Sequence, residues 1–339
     1  MEIEASTTAV MRTPFLIRTV RSHPYVYSAI CKARIAYSRR IAGSAATALY
    51  RDHSKLFSMS EFEARHCEQL QKQGFVLIES FFPTDLIDRI YTTADRLFRN
   101  LHLDFHHAYS VQDGRLRSLE GVSYEELSHS EKVIALRDPL LNVPECIAIA
   151  FHESILRIAG NFLGYIPPLY RPTIVRDFPH ARALESSNFH KDNDETDSVQ
   201  VFVYLVDIDD GVGALTYVAG SHRYDAQSCR PRLSRDLGLN EADGRLSDCQ
   251  VDKYYPRRSW AVLTTKRGSI AIIHGNGIHK GPVWARPGDP GNRARTAIKI
   301  DIHGFKRGAS YDGRKNRIEK VEWDRLSKLQ KLFAHEICI

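Results

Sequence analysis

The chain has 339 residues, 43% of them apolar and 26% charged, with a net charge of +6. This composition excludes a disordered, collagen-like or disulfide-stapled chain and allows one large domain or two small ones around a real core. The charge is lopsided: residues 1–58 hold nine bases (Arg12, Arg18, Arg21, Lys32, Arg34, Arg39, Arg40, Arg51, Lys55) against Glu2, Glu4 and Asp52. That stretch carries the whole surplus, and the remainder is balanced.

In chain order, apolar residues at Val26, Ile30, Ala33, Tyr37 and Ile41 interleave with bases and predict a basic amphipathic helix after Pro24. Ser60 and Glu63 form a capping-box pattern at the head of a helix that ends before Gly74. Phe75 to Ile78 reads as a strand, and Pro83-Thr84-Asp85 opens a helix carrying Leu86, Ile87, Ile90 and Leu97. Residues 100–131 have few apolar anchors and read as loop or helix. Cys146 to Phe162 has helical spacing and ends at Gly164.

Beyond Gly164 the period changes from 3.6 to 2. Leu169–Val175, Val199–Val206, Ala214–Val218, Ala261–Thr264, Ser269–Ile273 and Thr296–Ile302 are β-type runs separated by turn residues. Residues 318–337 return to helical spacing. Helices before strands imply an α+β fold with an antiparallel sandwich or barrel at its centre. The expected organisation is a basic extension over 1–58, a catalytic domain over 59–310 and a C-terminal helix over 311–339.

No uncharged apolar run approaches the roughly 20 residues of a membrane span. Glu2 and Glu4 are wrong for a secretory signal, and six scattered cysteines without a CxxC read as reduced thiols. A cytosolic protein is the expectation.

Two imidazoles and one carboxylate on one face of an octahedral Fe(II) leave three positions open. A histidine and an acid two residues apart share a face only in extended chain. His-x-acid occurs four times: His66/Glu68, His102/Asp104, His129/Glu131 and His190/Asp192. The first three lie in or beside helical patterns and read as solvated polar residues. Only His190/Asp192 directly precedes a β run.

From about Gly74 to Phe305 the sequence resembles the phytanoyl-CoA dioxygenase-like branch of the Fe(II)/2-oxoglutarate oxygenases. The resemblance is carried by "GFVLIESFFPTDLIDRI", "FHKDND", "VFVYLVDIDDGVGALTYVAGSHR", "GSIAIIHGNGIHKG" and "RTAIKI", in that order. It implies a double-stranded β-helix (jelly-roll, cupin-like) core flanked by helices. It implies His190, Asp192 and His279 as iron ligands, and Arg295 as the partner of the distal carboxylate of 2-oxoglutarate. A planar guanidinium suits that role by offering two parallel hydrogen bonds. Arg293, two residues earlier, competes with it across the turn-rich "RPGDPGN" stretch.

His222, in "GSHR", matches a structural turn of the family, and His274 reads as a core or turn histidine. Asp194 either faces the site or lies in an exposed turn. Tyr204 and Thr216 sit on strands that line the barrel. Ala219 stands where the family usually has proline, and Ser269 where an acid is common.

The implied activity is hydroxylation of an unactivated C–H bond of a small organic substrate, with Fe(II), 2-oxoglutarate and O2 consumed to give succinate and CO2. An intact Asp192 favours hydroxylation over halogenation, which needs that coordination position open. Two other readings stand beside it. One is the same chemistry on a membrane-associated lipid or glycan or another macromolecule; the other is a non-catalytic binding protein of this fold. Nucleic-acid motifs are absent, and a neutral core is poorly suited to a phosphate backbone. The basic residues of 14–55 suit either a helix packed on the core or a contact with a membrane surface or protein.

Overall fold

The computed structural model describes residues 47–100, 106–110, 116–117, 123–136, 138–166, 169–179, 187–192, 198–223, 245–284, 289–303 and 318–334. The helix expected over 26–41, most of the basic extension, and Asp194 lie outside the described residues.

Helix α1 (Glu61–Gln73) begins with the capping box read from the sequence. Ser60 Oγ accepts from the Glu63 amide, and the Glu63 carboxylate accepts from the Ser60 amide. Gly74 ends it in the left-handed conformation, at φ 83°. Strand β1 (Phe75–Ile78) and helix α2 (Thr84–Arg99) follow as expected.

Residues 100–131 differ from expectation. Their described parts include β2 (His106–Ser110), β3 (Leu116–Arg117) and α3 (Tyr124–Ser130), which lead into β4 (Glu131–Leu136). Strands β2 and β3 end the large sheet, where a strand needs little of the apolar patterning that marks a central one. After α4 (Pro139–Asn142), the helix expected over 146–162 breaks at Phe151 and His152 into α5 (Cys146–Ala150) and α6 (Glu153–Leu163). Cys146–Leu163 is long and apolar enough to cross a membrane, with mean hydropathy 1.3. Its buried face instead belongs to the core that packs on the sheet.

The second half supplies β5 (Leu169–Asp177), β6 (Ser198–Tyr204), β7 (Ala214–Val218), α7 (Asp248–Asp252), β8 (Trp260–Val262), β9 (Ile270–His274), β10 (His279–Val283) and β11 (Arg295–His303). The helix expected over 318–337 is two short ones, α8 (Lys320–Arg325) and α9 (Lys328–Phe333). Ser327 caps the second with its own capping box, so the chain restarts there.

Eight strands form one sheet in the order β1-β9-β6-β11-β5-β4-β2-β3, and β10-β7-β8 form a smaller one. Every pairing is antiparallel. This is the two-sheet jelly-roll core of the α+β fold.

Alternation along the central strands gives each face its task. Val199, Val201, Val203, Ile270, Ile272, Ile298, Ile300 and Ile302 point outward and join Leu70, Ile87, Ile90, Phe98, Ile155 and Ile158 of the helices. Burying each such side chain contributes about 1.5–3 kcal/mol. Truncating one, as in Ile300→Ala, costs about 2–5 kcal/mol. The other face is the inside of the sandwich, where Phe202, Tyr204, Ala271, Ile273 and Ala297 meet Leu215 and Tyr217 of the small sheet.

Candidate metal centre

His190 is not part of a long strand. It forms an antiparallel bridge with His279, each amide donating to the other's carbonyl at 2.8 Å. Two residues on, the Asp192 amide donates to the Gly275 carbonyl at 3.0 Å. The extended segment 190–192 therefore lies against the turn between β9 and the start of β10. Its i, i+2 spacing brings the His190 and Asp192 side chains to the same side. One ligand atom each from His190, Asp192 and His279 lie within 4.8 Å of one another.

Both imidazoles are held the same way. His190 Nδ1 donates to the Asn188 carbonyl and His279 Nδ1 to the Gly277 carbonyl, both at 3.0 Å. A carbonyl can only accept, so Nδ1 carries a proton, and in the neutral ring Nε2 keeps its lone pair for a metal. Burial pushes the His279 pKa down, and the nearby Asp192 charge opposes that shift without reversing it. His279 is therefore neutral near pH 7, the form that binds metal. Its Nε2 lies 3.9 Å from Asp192 Oδ2, which also accepts from the Gln200 amide nitrogen at 2.8 Å.

Tyr217 stacks on the His279 ring, with centroids 6.2 Å apart and planes at 9°, and its hydroxyl donates to the His274 carbonyl. The glycines beside it leave room for these contacts. A Cβ on Gly275 would run into Ser198 Oγ and come within 3.1 Å of Asp192 Oδ2; one on Gly277 would overlap the Tyr217 hydroxyl.

Arg295 opens β11 opposite Asp177 of β5 and faces the interior. Its Nη2 and Nε lie 2.8 and 3.0 Å from Asp177 Oδ2, both residues being buried. Its Nη1 is buried without a hydrogen-bond partner, and so is the hydroxyl of Tyr204 on the adjacent strand. Burial raises the Tyr204 pKa to about 12, against the pull of Arg295, so the phenol stays a donor. Two buried donors without acceptors fit a carboxylate. Arg293 lies at the surface instead, with its Nη2 2.8 and 2.6 Å from the two Asp209 oxygens.

His222 Nε2 donates to the Gln71 carbonyl at the end of α1, and His274 packs against Phe162 and His222 away from the three ligand atoms. Thr216 alternates with the inward Leu215 and Tyr217 and so turns away from the interior, whereas Tyr204 faces it. Ser269 bridges where an acid was expected. It accepts from the Ser80 amide at 3.1 Å and from Thr265 Oγ1 at 2.8 Å.

Gln200, Tyr217 and Asp177 carried no motif. Gln200 had a weak signal, as a lone amide at an inward position of an otherwise apolar strand.

A family model described as phytanoyl-CoA dioxygenase (PhyH) matches residues 70–282. No curated protein matches the sequence. Similar solved structures include the epimerase SnoN in complex with Fe3+, alpha ketoglutarate and nogalamycin RO. It is 14% identical over 71% of this chain and 83% of that one, at TM-score 0.46. The alpha ketoglutarate dependent carbocyclase SnoK is 14% identical over 80% and 92%, at TM-score 0.49. EvdO2 from Micromonospora carbonacea var. aurantiaca, complexed with 2-oxoglutarate, is 14% identical over 73% and 92%, at TM-score 0.47.

Proposed function

The chain belongs to the phytanoyl-CoA dioxygenase family, and on that footing we propose that it hydroxylates an unactivated C–H bond of a small organic substrate. The reaction class is that of the Fe(II)/2-oxoglutarate-dependent enzymes. The observation that carries the reading is the convergence of His190, Asp192 and His279, with both Nδ1 atoms donating to backbone carbonyls.

In this reading His190, Asp192 and His279 hold Fe(II), a donor set of two imidazoles and one carboxylate. Arg295 Nη1 and the Tyr204 hydroxyl receive the distal carboxylate of 2-oxoglutarate. Bound iron supplies the activation of O2 that couples decarboxylation of the keto acid to oxidation of the substrate.

The protein's own part is positional. The Asn188 and Gly277 carbonyls fix the imidazole tautomers, and Gln200 orients Asp192. Asp177 fixes the plane of the Arg295 guanidinium and offsets its charge, so that one free N–H edge faces the interior. The apolar walls of Phe202, Leu215, Ala271 and Ala297 exclude water around these groups. A carboxylate at Asp192 would complete the donor set without leaving room for a halide, which favours hydroxylation over halogenation.

Anaerobic titration with Fe(II) and 2-oxoglutarate tests the reading. A weak visible charge-transfer band is expected in wild type and is lost in Asp192→Ala and His279→Ala. Absence of the band in wild type, or its survival in both variants, overturns the assignment. A mass increase of 16 in the product is the mark of hydroxylation, against a loss of two hydrogens or no change for other outcomes.

A further inference from the structure

A second arginine stands on the metal side of the fold with a nitrogen that nothing among the described residues satisfies. Phe189 and Leu246 form an antiparallel bridge, with N–H···O distances of 2.9 and 2.7 Å. Both side chains join an apolar cluster with Val218, Val251 and Ile278. Their chain neighbours alternate to the opposite side. His190 therefore turns toward Asp192 and His279, and Arg245 turns the same way. Arg245 Nη1 is buried and has no hydrogen-bond partner.

Lys299 approaches from the opposite wall. On β11 it lies between Ile298 and Ile300, which face the outer core, so it faces inward. It pairs with Phe202, two places along β11 from the Asp301–Gln200 pairing, and Gln200 holds Asp192. Lys299 Nζ lies 3.3 Å from Asp301 Oδ1.

We propose that Arg245, with Lys299 facing inward from the large sheet, recognises an anionic group on the substrate, a carboxylate or a phosphate monoester. The proposal rests on the oxygenase reading above and adds the substrate's charge to it. The distal carboxylate of 2-oxoglutarate already has its donors in Arg295 and Tyr204. A guanidinium nitrogen buried without an acceptor is unfavourable in the free protein and becomes favourable when an oxyanion fills the place. An uncharged analogue would leave it unsatisfied, so the site selects by charge.

The test uses full-length protein labelled with 15N-arginine and loaded with Zn(II) and 2-oxoglutarate. Arginine Nε–H resonances are followed by NMR, and the Arg245 signal is identified by its loss in Arg245→Gln. Acetate and methyl phosphate are the anionic probes and acetamide is the uncharged control. At least one anion is expected to shift the Arg245 signal saturably, while acetamide does not. Calorimetry should show binding of that anion weakened roughly 10-fold in Arg245→Gln and about 3-fold in Lys299→Met, with 2-oxoglutarate affinity unchanged in both.

Equal shifts with acetamide, or undiminished anion binding in Arg245→Gln, overturn the proposal. So does a 2-oxoglutarate affinity that falls together with anion binding, because Arg245 would then hold the co-substrate. Arg245→Lys, which keeps the charge, takes the place of Arg245→Gln if that variant fails to fold, with a weakening of about 3-fold expected and none overturning the proposal. The charge-transfer band measured on the same preparation separates failure of this proposal from failure of the oxygenase reading.

Discussion

Two buried arginines on paired strands of one sheet have opposite surroundings. Arg176 of β5 pairs in register with Thr296 of β11, and both point toward the helices. Its nitrogens reach Thr296 Oγ1, Asp95 and the Tyr124 hydroxyl, and its guanidinium lies 4.7 Å from the centre of the Phe98 ring. One residue along, Arg295 faces Asp177 on the interior side, and its Nη1 and the Tyr204 hydroxyl have no acceptor. Arg176 also has one nitrogen, Nη2, without a hydrogen bond, but aromatic rings surround that side chain. Outside, the polar groups serve the packing of helix on sheet. Inside, two donors have no acceptor among the described residues.

Substituting the two arginines gives the largest expected effects. Removing Arg295 leaves the buried Asp177 without its partner and destabilises the fold by about 3–5 kcal/mol, whereas removing Arg176 leaves Asp95 still paired with Arg99 and costs less. Arg295→Met should in addition weaken 2-oxoglutarate roughly 100-fold in the charge-transfer titration. Arg176→Met should leave that affinity unchanged, and an equal loss there would erase the contrast between the faces.

Gly275→Ala tests the turn under the metal centre. The added Cβ meets Ser198 Oγ and crowds Asp192 Oδ2, so Fe(II) affinity is expected to fall about 10- to 100-fold. Competition with a chelator measures it, and unchanged affinity would show that the turn can shift without moving the ligand.

Tyr204→Phe sharpens the inside of the contrast. It deletes a buried hydroxyl without a partner, so the free protein should keep or slightly gain stability while 2-oxoglutarate binds about 10-fold more weakly. Thermal melts with and without the co-substrate separate the two effects. A variant that loses stability and keeps its affinity would show that the hydroxyl serves the fold.

The smallest effect belongs to the outer layer. Hydrogen bonds from Ser327 and then Arg157 hold the Glu153 pKa below its ordinary value. A lowered carboxyl pKa adds stability above the unfolded-state value, lost as pH falls through the folded-state value. The Glu153 side chain is 40% exposed, so Glu153→Gln should cost no more than about 0.5 kcal/mol at pH 7. The difference from wild type should vanish in acid, as denaturation at pH 7 and pH 3 would show.

Local pattern was enough for the helix with the capping box at Ser60 and Glu63, for the period-2 strands, and for His190 and Asp192 as a pair on one face of extended chain. These depend on neighbours a few residues apart, which the sequence displays directly. The family resemblance added His279 and Arg295, and the fold brings His279 to the same place as the pair. Arg295 and Arg293 could be told apart only in the fold, because β11 begins at Arg295 opposite Asp177, while Arg293 before it bonds to Asp209 at the surface.

The break at His152, the strands within 100–131 and the start of β10 at His279 were not legible for the same reason. Each depends on a partner far along the chain. Asp177, Gln200 and Arg245 carry no motif, and each is an ordinary residue until the two sheets close around it. The sequence by itself determined which residues alternate and which types of donor were available. Only the tertiary structure decided which donors meet and which are left without an acceptor, because burial and hydrogen-bond satisfaction are properties of the closed sandwich and not of any segment of it.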